Sequence, residues 1–67
     1  MYYDIGQEVY VLYKGNFFKG TVIGEPHIVL NMRYYPVQFI YKEEGKAPEN
    51  VTYTFGSSEI YLNMPVG

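Results

Sequence analysis

Side chains that could carry proton transfer or covalent chemistry are scarce in this 67-residue chain. The one histidine, His27, lies in the apolar stretch His27-Ile28-Val29-Leu30. Ser57 and Ser58 follow Gly56 in a turn. Nucleophilic catalysis needs nucleophile, base and orienting group within hydrogen-bond reach. No such set is fixed by the sequence, so His27 reads as a loop residue and the serines as turn formers. Glu43, Glu44 and Glu49 share one polar stretch but lack the spacing of a metal-binding loop. They read as a solvated charge cluster. Cysteine is absent, which excludes a disulfide scaffold, a zinc finger and a thiol nucleophile. Asn50-Val51-Thr52 fits the glycosylation sequon and reads as a chance match at a strand start. The expectation is a chain with no catalytic residue, no metal and no cofactor.

The aromatics are the informative set. Nine Tyr and four Phe make up 19% of the residues. Each buries on the order of 150–250 Å², and a chain this short buries only about 60% of its unfolded surface. Several tyrosines must therefore stand on the surface, where an apolar body with a polar tip suits an interface. Phe18, Phe39 and Phe55 are expected inside.

The elements that must position these rings are short. Seven Gly and four Pro punctuate apolar runs, and no segment sustains the i, i+3, i+4 pattern of a helix. Residues 8–13 alternate as a first strand. Lys14-Gly15-Asn16 reads as a tight hairpin turn. A second strand covers 17–24, with Phe18 and Val22 on one face and Gly20 marking a bend or close backbone approach. Residues 27–33 extend a strand or form an apolar loop. A third strand covers 33–42, with Tyr35, Val37, Phe39 and Tyr41 on one face and Pro36 requiring an unpaired side. Residues 43–50 form an exposed loop. Val51–Phe55 alternates as a fourth strand, a turn or single 3₁₀ turn follows, and a last short strand carries Ile60 and Leu62. One domain is expected, residues 1–67, with its core in 5–62 and a flexible tail at 63–67. The expected interior is Val9, Val11, Phe18, Val22, Val37, Phe39, Phe55 and Ile60.

About five antiparallel strands without a helix must hide their edges, and a small barrel does so. Here the residues resemble a known pattern. Gly6-Gln7-Glu8-Val9-Tyr10-Val11 looks like the G-x-x-V-x-V opening of SH3-like barrels. Residues 15–24, Val37-Gln38-Phe39 and Ser58-Glu59-Ile60-Tyr61-Leu62 resemble their later strands. The fold class is therefore all-β, a small SH3-like barrel, closest to the Tudor branch. In Tudor-like barrels a ligand sits among aromatics of the first hairpin and the loop after the third strand. The matching positions are Tyr13, Phe18, Phe39 and Tyr41. The resemblance implies cation–π capture of a methylated cation there, with Glu43 and Glu44 supplying complementary charge. A broader protein-binding face would include Tyr10, Tyr13, Tyr34 and Tyr41. Plasmid-type dihydrofolate reductases share the Gly-x-x-V opening. Their Val-Gln-Ile-Tyr falls where this chain has Val51-Thr52-Tyr53-Thr54, so the Gln and Tyr are unmatched.

Charge separates the remaining classes. Five Lys+Arg against seven Asp+Glu give a net charge of -2, without the basic footprint of a phosphate binder. No apolar run approaches the roughly 18 residues of a transmembrane helix. The N-terminus lacks the pattern of a secretory signal, so a cytoplasmic location is expected. The leading expectation is a non-enzymatic interaction module, a small adaptor or inhibitor binding a protein or peptide partner, or its own copy. The resemblance further implies a compact, Tyr-rich acidic protein of the kind often encoded by phages and mobile elements. The alternatives are nucleic-acid association by base stacking on Tyr, and a pore enzyme assembled by oligomerisation as in the reductases.

Overall fold

A computed structural model describes residues 2–65. The strands are β1 (Glu8–Tyr13), β2 (Asn16–Val22), β3 (His27–Val29), β4 (Met32–Tyr41), β5 (Glu49–Gly56) and β6 (Ile60–Tyr61). A 3₁₀ turn at Ser57–Glu59 precedes β6. All pairings are antiparallel. The sheet runs β3-β4-β2-β1-β6, with β5 on the other side of β4, and curls into a small all-β half-barrel. No helix among the described residues is long and apolar enough to cross a membrane. The end of the expected tail, residues 66 and 67, lies outside the described residues, as does residue 1.

Two hairpins set the register. Tyr13 faces Asn16 across the first, leaving Lys14 and Gly15 as a two-residue turn with φ of 49° and 82°. Positive φ at both central residues matches the twist of the flanking strands. The turn is thus Lys14-Gly15, and Asn16 already belongs to β2. The second hairpin resolves residues 27–33. Val29 faces Met32, and Leu30 and Asn31 turn with φ of 50° and 66°. The left-handed conformation costs a side-chain-bearing residue about 1–2 kcal/mol, and no Asn-Gly or Asp-Gly pair announces it. β4 pairs with β5 from Tyr34 to Tyr41, and on its other side with β3 and then β2. Pro36 lies between those two stretches, where the Ile23 amide donates to its carbonyl at 3.0 Å. Its missing N–H therefore faces a gap in the ladder, as a proline in a strand requires.

Alternation places Val9, Val11, Val22, Tyr35, Val37, Phe39, Phe55 and Ile60 in the core. Gly20 permits the closest approach of two strands. A Cβ there would lie 2.6 Å from Val37 Cγ1 and 2.9 Å from the Gln38 carbonyl. Phe18, two residues toward the hairpin, is half-buried rather than inside. Tyr3 is an additional core residue. Its segment is pinned by Gly6 N–H donating to the Val22 carbonyl (2.7 Å) and Val22 N–H to that of Gln7 (3.0 Å). The Tyr3 hydroxyl donates to the Ile60 carbonyl at 3.2 Å, and its amide to the Tyr35 hydroxyl at 3.3 Å. Burial, and then the neighbouring Tyr35, push the Tyr3 hydroxyl above its ordinary pKa of 10.0.

Closure is partial. β6 meets β1 only through Tyr10↔Tyr61 and Val11↔Ile60. The radius of gyration is 12.0 Å, against about 11 Å for a compact chain of this length.

Candidate functional site

Each long strand carries its inner face from a dry end to a wet one. In β1 the series is Val9, Val11, Tyr13. In β2, followed backward, it is Val22, Gly20, Phe18. In β4 it is Tyr35, Val37, Phe39, Tyr41, and in β5, backward, Phe55, Tyr53, Val51. The first members are buried; Tyr13, Phe18, Tyr41 and Val51 are half-buried and Tyr53 is 53% exposed. The register aligns these changes, because Tyr53 faces Val37, Val51 faces Phe39 and Phe18 faces Val11. Four strands thus bring aromatics to one open end of the half-barrel.

Tyr13 is the centre of that group. Its ring centroid lies 5.1 Å from Phe39, 5.4 Å from Tyr53 and 5.5 Å from Tyr41. Phe18 and Phe55 are each 6.4 Å away. Phe18 closes the ring set at 5.3 Å from Phe39 and 5.5 Å from Tyr41. All the Tyr13 pairs are edge-to-face, the arrangement that the ring quadrupole favours. Phe39 and Phe55 form the floor. The Lys14 ammonium, set by the left-handed turn residue, stands 5.5 Å from the Tyr13 centroid and 5.2 Å from that of Tyr41. Within about 6 Å of a ring centroid, a cation is attracted by the π face. The mouth therefore already holds one cation, supplied by its own hairpin.

Of the residues selected from sequence, Tyr13, Phe18, Phe39 and Tyr41 come together. Their rings pack on one another, so a methylated cation among them would have to displace Lys14 and part the rings. Tyr10 points to the other face, opposite Lys19 and Tyr61. Tyr34 is also on the outer face, its ring 3.3 Å from where a Gly56 Cβ would stand. Glu43 pairs with Lys46 at 3.0 Å in the loop beyond β4, and Glu44 is exposed beside it. Tyr53 is the mouth residue missing from that selection. The Val51-Tyr53-Phe55 alternation holds the signal that would have placed it.

The outer face offers a smaller apolar strip. Leu12 faces Phe17, Tyr10 faces Tyr61, and the Phe17 and Tyr61 rings are 5.7 Å apart. Beside it Glu8 and Lys19 pair at 3.5 Å, both well exposed. His27 lies exposed on β3, and no three His, Cys, Asp or Glu side chains gather as a metal site among the described residues. No family model, curated protein or solved structure matches this chain.

Proposed function

We propose that this chain is a non-enzymatic interaction module of SH3-like, Tudor-like type, which docks a protein partner on the aromatic mouth. The observation that carries the reading is the group Tyr13, Phe18, Tyr41 and Tyr53, held part-exposed over Phe39 and Phe55. Aromatics mounted on strands offer large contact area with little conformational freedom to lose on binding. Tyr supplies both an apolar ring and a hydroxyl for a partner's backbone. The partner chemistry that fits is an extended protein segment with an apolar or cationic side chain that takes the place of Lys14. An adaptor or inhibitor works through such a surface without chemistry of its own.

The test uses Tyr13→Ala and Tyr41→Ala, each checked by circular dichroism. Partner captured from the cell that makes the protein is then titrated against wild type and both variants. The reading expects folded variants and affinity lowered at least about tenfold. Affinity unchanged within about twofold in both folded variants would contradict it.

A further inference from the structure

The free edge of β5 is the second exposed feature of the molecule. β4 and β5 pair throughout β5, and among the described residues no other strand meets β5. The direction of its main-chain groups follows from Pro36. The Pro36 carbonyl accepts from Ile23, so it points away from β5. Its cross-strand neighbour Thr54 therefore points its own N–H and C=O away from β4. By alternation Asn50, Thr52 and Gly56 do the same. Gly56 agrees: its amide donates to the Glu59 carboxylate at 3.2 Å. The main-chain groups of Asn50, Thr52 and Thr54 have no partner among the described residues, and all three residues are exposed.

Natural edges are protected by shortness, proline or lysine. β3 has three residues behind Pro26, and β6 has two. β5 has eight, with no Lys, Arg or Pro.

We infer that β5 is a self-pairing edge, joining two copies of this chain antiparallel about a two-fold axis at Tyr53. Val51-Thr52-Tyr53-Thr54-Phe55 reads nearly the same in both directions about Tyr53, as an isologous interface requires. With Tyr53 on the axis, Thr52 faces the partner's Thr54 and Asn50 faces the partner's Gly56. Thr52 and Thr54 have amides and carbonyls that point outward, so these pairs form without changing the β4 pairing, and the ladder ends at Gly56, whose amide is held by Glu59. Thr–Thr is a favourable cross-strand pair. Glu49 falls opposite the partner's Ser57, so no like charges meet. Val51 and Phe55 align on the inner face, and the exposed Tyr53 is covered by its own copy. The two mouths then open on one continuous concave face. Tyr53 belongs to both surfaces, and in the dimer a partner docks on Tyr13, Phe18 and Tyr41, so self-pairing and docking are read at different residues and can fail separately.

Sedimentation equilibrium over a wide concentration series tests it. The mass of wild type is expected to rise from the 7.8 kDa chain toward twice that value. Thr54→Pro removes an outward donor but no β4 hydrogen bond, and is expected to leave a folded monomer. A charge exchange covers the case in which that variant does not fold. T52K/T54K and T52E/T54E place like charges opposite each other and should each weaken the dimer at least about tenfold. Mixing them should restore a heterodimer. A wild type that stays monomeric throughout, or a dimer that both charge variants leave intact, would overturn the inference.

Discussion

The two ends of the inner face are built by the same strands and differ in what covers them. At one end Val9, Val11, Val22, Tyr35 and Phe55 are dry, and Tyr3 lies across them with both its amide and its hydroxyl bonded. At the other, Tyr13, Phe18, Tyr41 and Tyr53 are left part-exposed, with the Lys14 side chain over two of the rings. The first end has a dedicated covering segment in the chain, and the second has a single lysine side chain from a hairpin. Aliphatic side chains gain from burial alone, whereas Tyr remains useful while half-wet. The covered end carries stability, and the open end is the surface on which the proposed partner docks.

The largest expected effect lies at the covered end. Tyr35→Ala should cost about 3–5 kcal/mol, much of the roughly 3–10 kcal/mol that a chain of this length has. Urea denaturation should find it unfolded or nearly so. Tyr13→Ala should cost less and leave a cooperative transition; equal losses at the two positions would erase the distinction. Gly20→Ala probes the boundary between the ends. Its Cβ would meet the Val37 side chain and the Gln38 carbonyl, so a loss of about 1–3 kcal/mol is expected by the same assay.

Tyr3→Phe keeps the ring and removes the hydrogen bond to Ile60, with an expected loss of about 1 kcal/mol. It also sharpens the comparison through pH. The Tyr3 hydroxyl has a folded pKa raised above 10.0, so the neutral form is favoured by folding. That contribution is fully present below about pH 10 and is lost as pH rises through the raised value. Melting followed at rising alkaline pH should reveal the decline in wild type, and Tyr3→Phe should remove that part of it. The smallest effect lies outside both ends. Leu30→Asn replaces a leucine at φ 50° by a residue that tolerates this conformation, and should raise stability by about 0.5–1 kcal/mol. An unchanged urea midpoint would mean that the turn carries no such strain.

Much of the fold is legible in the period-two pattern. Val9/Val11, Phe18/Val22 and Tyr35/Val37/Phe39 declare both strand and face, and Gly20 declares the close approach. The β3–β4 hairpin is not legible, because Leu30 and Asn31 lack the usual turn chemistry and tertiary pairing enforces their conformation. Tyr3 is equally hidden, since it precedes any alternating run and its burial depends on Tyr35 and Ile60, far along the chain. For the mouth, hairpin spacing brings Tyr13 and Phe18 together, and the β4 alternation adds Phe39 and Tyr41. The β5 alternation puts Tyr53 on the same face as Phe55, but its nearness to Tyr13 and Tyr41 follows from the β4–β5 register, which depends on the length of the intervening loop. Tyr10 and Tyr34 part from the group for the same periodic reason that unites the others: they occupy odd steps along β1 and β4.

The central claim, that the open end is where a partner sits, is tested most directly by site-specific photo-crosslinking. A photoreactive phenylalanine analogue is placed at Tyr41 in the mouth, away from the β5 edge, and in a second protein at Tyr10 on the outer face, in the cell that makes the protein. The account predicts one discrete crosslinked heterologous partner from position 41, competed away by excess wild type, and little from position 10. Crosslinks to a heterologous partner from position 10 and none from position 41, with both proteins folded, would contradict it.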